Sequence, residues 1–141
     1  MITARLAAFP LIFAALAAAW EPKVWEVTLG GAAPNQISFQ PNTVCAEPGD
    51  IVRFFFKQKN HTVTQSSFAE VCQPLLDDYT YEPVFDSGFK PVSPETTDDF
   101  PYVDFPVSNK DPSWFYCRQT NHCGQGTLNH IRLSERLLIA L

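Results

Sequence analysis

Along most of this chain apolar residues recur with a period of two, in runs too short for anything but β-strands. From Lys23 to Leu29, Trp25, Val27 and Leu29 share one face while Glu26 and Thr28 take the other. Gly30-Gly31 ends that run. Ile37 to Phe39 and Thr43 to Ala46 are short β-prone pieces separated by Gln40-Pro41-Asn42. Glu47-Pro48-Gly49-Asp50 reads as a turn, because proline presets one dihedral and glycine supplies the next. Ile51 to Phe56 and His61 to Gln65 follow as further strands. Later, Val103, Phe105 and Val107 alternate with Tyr102, Asp104 and Pro106, and Ser113 to Cys117 alternates again. Twelve prolines and the lack of a helical stripe exclude a long helical bundle. Short strands with such frequent turn signals predict an all-β fold, an antiparallel β-sandwich. Phe39, Phe54, Phe56 and Trp114 are expected in its core.

A length of 141 residues, 45% of them hydrophobic, suits one globular domain. The formal net charge of −5 argues against nucleic acid and anionic membrane as partners, since phosphate-rich surfaces need a basic face. Arg5, the apolar run Leu6 to Ala18 and the small residues Ala17-Ala18-Ala19 predict a cleaved signal peptide over residues 1–19. The run is too short for a spanning helix, which needs roughly 20 apolar residues. The mature chain is therefore expected outside the cell or at its surface, with no transmembrane segment. Residues 20–133 form the predicted domain and 134–141 an atypical tail.

The middle of the chain has a different character. Seven prolines fall between Pro74 and Pro112, and ten acids between Glu70 and Asp111 face only Lys90 and Lys110. Asp77 to Asp99 is expected to be a long acidic surface excursion, with one helical turn near Pro74-Leu75-Leu76-Asp77.

In an oxidising compartment the four cysteines, Cys45, Cys72, Cys117 and Cys123, read as two disulfides. A second reading competes for Cys117. A β run ends at that residue, four residues intervene, and His122 follows at a Gly-rich turn, while His61 lies 56 residues upstream. One thiolate and two imidazoles are the trigonal donor set of a blue-copper electron-transfer site. Soft thiolate suits Cu(I), imidazole suits both oxidation states, and a rigid loop limits rearrangement. Asn60-His61-Thr62 is also a glycosylation sequon, with Asn60 as the acceptor.

Several segments together resemble the cupredoxins, above all plant phytocyanins and secreted fungal cupredoxin-like proteins. They are Glu47-Pro48-Gly49-Asp50 with Ile51 to Phe56, Asn60-His61-Thr62-Val63-Thr64-Gln65-Ser66-Ser67-Phe68, Cys72, Phe85-Asp86-Ser87-Gly88-Phe89, and Trp114-Phe115-Tyr116-Cys117 through His122-Cys123-Gly124. The resemblance covers about residues 23 to 126. It implies a Greek-key β-sandwich, one copper ion held by His61, Cys117 and His122, and a disulfide between Cys72 and Cys123. Cys45, left odd by that pairing, is then expected as a small buried residue on its strand. The two-disulfide alternative would pair Cys117 with Cys45.

Two departures stand out. The family places Met, or Gln in some members, five residues after the second ligand histidine; that position here is Thr127, and Met1 is the only methionine. A threonine hydroxyl is too short for direct axial bonding to be expected, although the axial bond is long and weak in any case. Where the family ends in an apolar strand, Leu128 to Leu133 runs into Ser134 to Leu141, which reads as a short amphipathic helix or foreign tail. His130, within it, is assigned no role.

No local signature of a hydrolase, closed zinc site or phosphate loop is present. The resulting expectation is a monomeric, non-enzymatic type 1 copper protein. It would carry single electrons between extracellular partners, with a redox protein or small-molecule reductant as the donor. The alternative is a metal-free interaction or cell-surface module on the same sandwich.

Overall fold

A computed structural model describes residues 21–33 and 36–133. The expected signal segment 1–19 and tail 134–141 lie outside the described residues.

Among the described residues ten strands are formed: β1 (Val24–Leu29), β2 (Phe39–Gln40), β3 (Thr43–Ala46), β4 (Ile51–Phe56), β5 (Lys59–His61), β6 (Thr64–Ser66), β7 (Lys90–Val92), β8 (Tyr102–Pro106), β9 (Ser113–Tyr116) and β10 (Leu128–Leu133). Alternation sets their faces. In β4, Val52, Phe54 and Phe56 are buried, while Ile51, Arg53 and Phe55 stand on the other side. One sheet has the order β2-β1-β4-β8, a second β3-β10-β9-β6, and β5 pairs with β7 in a two-stranded sheet. The inner faces of the two larger sheets meet through aromatic rings. Phe54 of β4 lies 5.4 Å from Phe115 of β9, and Phe115 lies 4.9 Å from Phe105 of β8. The fold is an all-β sandwich. Among the described residues no helix is long and apolar enough to cross a membrane.

The sandwich was expected to be antiparallel, but β1 pairs with β4, and β10 with β3, in parallel. Alternation tells which face a residue takes and is silent on the direction of its neighbour.

The run His61 to Gln65 is divided between β5 and β6 rather than forming one strand. Between them, the Thr62 N–H goes to Cys117 Sγ and the Val63 N–H to Ser87 Oγ, so side chains replace the ladder. No helical turn forms at Pro74 to Asp77. Leu75 N–H donates to the Gln65 carbonyl, the Leu75 carbonyl accepts from Val84, and Leu76 bridges to Pro83, so this stretch is extended. The rest of the acidic excursion lies largely at the surface, and its β7 returns to pair with β5.

Residues 128–133 are strand β10, not a helix or tail. β10 is hydrogen-bonded on both edges, to β3 and β9, and Asn129 and Ile131 are buried in alternation. A polar Asn at an inward position masked the pattern. Phe39, Phe54 and Phe56 are in the core as expected, whereas Trp114 is only half-buried. It alternates with Phe115 and so faces outward, stacked on His130 at 4.9 Å and near Phe68 at 5.0 Å. Cys45 is half-buried on the outer face of β3, opposite Arg132, rather than buried.

Asp50, 2% exposed, ties the parallel pair together at its start. Its carboxylate accepts from Lys23 N–H at 3.0 Å, Trp25 Nε1 at 2.9 Å and Glu47 N–H at 3.0 Å. The turn itself closes by Asp50 N–H to the Glu47 carbonyl, with Gly49 at φ +99° supplying the left-handed position. Burial alone would push the Asp50 carboxyl up, but the hydrogen bonds and Lys23 outweigh it and hold it below the usual carboxylate range. A depressed folded value stabilises the native state above the unfolded carboxylate's titration and loses that contribution as pH falls through the folded one. Asp50→Asn is therefore expected to cost about 1–3 kcal/mol at neutral pH. Urea denaturation should show the gap to wild type narrowing below about pH 4.

Candidate metal centre

Cys117 follows β9 directly. Since Phe115 faces the core, period two turns Cys117 inward as well, and both are buried. His61 ends β5 and is 0% exposed. Its Nε2 lies 3.2 Å from the Gln58 carbonyl, which only accepts, so Nε2 carries the proton and Nδ1 is left with a free lone pair. That Nδ1 is 3.8 Å from Cys117 Sγ. His122 reaches the same sulfur with Nδ1 at 3.4 Å and is half-buried.

The loop from Cys117 to His122 is held by its own backbone. His122 N–H donates to Gln119, the His122 carbonyl accepts from Gln125 and Thr127, and Asn121 takes a left-handed φ of 64°. A single 3-10 turn, Cys123–Gln125, follows and is capped by Gly126. Cys123 is joined to Cys72 in a disulfide with a Cα–Cα distance of 5.9 Å, next in sequence to His122. Cys45 and Cys117 are not disulfide-bonded.

The donor atoms of His61, Cys117 and His122 all lie within 4.8 Å of one another. Bonds of about 2 Å to a first-row metal would set three coplanar donors about 3.5 Å apart. The sulfur-to-nitrogen distances of 3.4 and 3.8 Å match that spacing, so the residues present fit a trigonal ion. The electrostatics fit too. Burial pushes the Cys117 thiol up, against hydrogen bonds from the Thr62 and Gln119 backbone. Burial and the nearby His122 push His61 down to about 4, and burial lowers His122 as well. At neutral pH both imidazoles are thus neutral, each with one ring nitrogen free to bind, as metal ligands must be.

Thr127 is 0% exposed and continues the β9–β10 register opposite Cys117, whose N–H donates to its carbonyl at 3.3 Å. Cross-strand partners share a face, so its side chain projects to the cysteine's side of the sheet. Its hydroxyl has no hydrogen-bond partner. Asn60 sits in β5, and Nδ2, the atom a glycan would be joined to, donates to Gln119 Oε1 at 3.2 Å.

Two supporting residues were not singled out from sequence. Gln58 orients His61, and Gly30 lies against it; only the Gly30-Gly31 break hinted at a close approach. Gly30 has φ +86°, and a Cβ there would land on His61 Nε2.

No family model matches the chain. Its fold is similar to that of a purple cupredoxin from Nitrosopumilus maritimus, with a TM-score of 0.54 and 9% identity, covering 78% of this chain and 99% of that one. The protein has the cupredoxin fold. In sequence it is 30% identical over 113 residues to a protein of Arthroderma benhamiae named "Probable GPI-anchored cupredoxin-1", covering 80% of this chain and 51% of the relative. It is also 27% identical over 90 residues to an extracellular serine-rich protein of the same fungus, covering 64% of this chain and 32% of that one. The chain thus spans about half or less of the curated relatives it matches.

Gly30→Ala should lose stability through both the left-handed backbone and the collision with His61, by about 1–3 kcal/mol in urea denaturation. Gly126 has the same φ of +86° with open space around it, so Gly126→Ala isolates the backbone cost. An equal loss in the two variants would show that the imidazole has room to move.

Proposed function

We propose that this chain is a secreted or cell-surface type 1 copper protein that carries single electrons between extracellular partners and catalyses no bond chemistry. The observation that carries this reading is the convergence of one buried thiol and two imidazole nitrogens at the spacing of a trigonal ion. Copper held by His61, Cys117 and His122 would supply one-electron redox chemistry between Cu(II) and Cu(I).

The protein's own groups suit that task. Cys117 offers a soft donor whose sulfur accepts the Thr62 N–H at 3.3 Å. Gln58 fixes the His61 tautomer. The hydrogen-bonded loop and the disulfide beside His122 hold the donors with little freedom to rearrange. His122 is half-buried where His61 and Cys117 are fully enclosed, so it is the donor with an edge towards a partner. An extracellular location is supported by the printed names of the two fungal relatives and by the apolar N-terminal run. The electron donor, a redox protein or a small reductant, and a monomeric state belong to the same proposal.

Adding Cu(II) to the purified protein should produce a thiolate charge-transfer band near about 600 nm. Cys117→Ser should abolish the band while leaving the far-UV circular dichroism of the sandwich unchanged. Thr127 is the one observation favouring the alternative, a metal-free surface module, and a wild-type protein that gains no such band would establish that alternative.

Thr127 yields a separate expectation. A short, hard hydroxyl does not take the place of a thioether, so Thr127→Leu should barely change the reduction potential. Thr127→Met should lower it by restoring a donor to the fourth position. Voltammetry on the three proteins checks both. A wild-type potential well below that of the Leu variant would show that the hydroxyl does coordinate.

A further inference from the structure

The segment Phe85-Asp86-Ser87-Gly88, within the acidic excursion, lies along residues 63–65, which follow His61 in the chain. Gln65 N–H donates to the Phe85 carbonyl at 2.9 Å, Ser87 N–H to the Val63 carbonyl at 3.0 Å, and Thr64 and Asp86 form an isolated antiparallel bridge. This backbone pairing brings a carboxylate beneath two buried hydroxyls, Thr62 and Thr64, both 0% exposed.

The hydrogen bonds there have only one consistent direction. Asp86 Oδ1 can only accept, so the Thr64 hydroxyl donates to it, at 2.8 Å. With its proton committed, Thr64 Oγ1 must accept from the Thr62 hydroxyl at 3.0 Å. Thr62 Oγ1 in turn accepts the Arg118 backbone N–H at 2.9 Å. The Arg118 guanidinium then returns to Asp86 Oδ2 at 2.7 Å. The circuit runs from the main chain of Arg118 through two threonines and a carboxylate back to the side chain of Arg118. Each hydroxyl in it both donates and accepts or is fully committed, which is the condition under which a buried polar network rigidifies its surroundings.

Two members of the circuit touch the sulfur's environment directly. Thr62 N–H donates to Cys117 Sγ at 3.3 Å, and Arg118 is the residue after Cys117. We propose that Asp86 and Thr64 are positioning residues for the Cys117 sulfur: they close a ring that holds the Thr62 N–H on Sγ and the Cys117 loop against β5. This rests on the copper reading for its functional meaning, though not for its geometry. The ring also explains how the long excursion contributes to the site without supplying a ligand. Opening it would free the Thr62 hydroxyl to seek another acceptor, turn its N–H away and leave the sulfur less well satisfied. A thiolate that loses an N–H donor gives more charge to a bound metal, which favours the oxidised state and lowers the potential.

The test compares Thr64→Val, which keeps shape and loses the hydroxyl, Thr64→Ser, which keeps the hydroxyl, and Asp86→Asn. In the metal-free full-length protein, iodoacetamide labelling is read by peptide mass so that Cys117 is separated from Cys45. Thr64→Val and Asp86→Asn should label Cys117 about tenfold faster than wild type, because losing one charge-assisted hydrogen bond lets the segments that enclose the sulfur open about tenfold more often. Thr64→Ser should match wild type, and Cys45 should label equally in all. In the copper-loaded proteins, the same two variants should shift the charge-transfer band and lower the reduction potential, with Ser again restoring both. Asp86, at the rim, keeps the test decisive if Thr64→Val does not fold. A folded Asp86→Asn with a wild-type labelling rate, or with an unshifted band, overturns the proposal. If wild type takes up no copper, the copper reading fails, and the labelling rates alone decide whether the ring positions the sulfur.

Discussion

The site depends on one contact between sheets, the packing of Phe115 of β9 against Phe54 of β4 and Phe105 of β8. Full burial of a Phe side chain is worth about 1.5–3 kcal/mol, enough to fix which face of β9 turns inward. With Phe115 inside, the period of two leaves no choice for Cys117, which must enter the interior at the strand's end. A slip of one residue would carry Trp114 into the core and turn the thiol to the opposite face of the sheet. The same constraint acts on β10, where Thr127, Asn129 and Ile131 share the inner face. Hydrophobic burial thereby sends a chemically reactive group to the interior.

That placement has an electrostatic consequence. Removing water disfavours every charged form, so the thiol is pushed up and both imidazoles down. Without a cation the cluster is held neutral at neutral pH. The enclosed sulfur is only partly compensated, by backbone N–H groups. A site of this kind has little affinity for protons at its imidazoles, while the thiol holds its own proton more tightly.

The acidic excursion looks dispensable in composition yet is bound to the centre at three places. β7 pairs with β5, which ends in His61; residues 85–87 pair with residues 63–65; and Cys72 is joined to Cys123 beside His122. The disulfide closes a span of 51 residues, which by loop-closure entropy removes about 4 kcal/mol of freedom from the unfolded chain. Proline-rich, acidic chain is thereby fixed beside the segments that carry the site's donors.

Residue type and local pattern were enough to determine where several strands lie. Thr43–Ala46 and Ile51–Phe56 have the bounds their alternation predicts, and the turn at Glu47 to Asp50 follows from its Pro-Gly pair. His61, Cys117 and His122 could be singled out as the candidate donor set only with the family resemblance, since residue type alone left Cys117 open to a disulfide with Cys45. Tertiary structure decided the rest. It set the parallel directions of β1 with β4 and β3 with β10, and made a strand of residues 128–133 despite Asn129 and Arg132. It also turned Trp114 outward and closed the ring through Thr62, Thr64, Asp86 and Arg118. The reason is physical. Alternation along a strand records which face is buried, a property of neighbours in sequence. The identity and direction of a hydrogen-bonded partner tens of residues away depend on which segments pack together, and no local pattern carries that information.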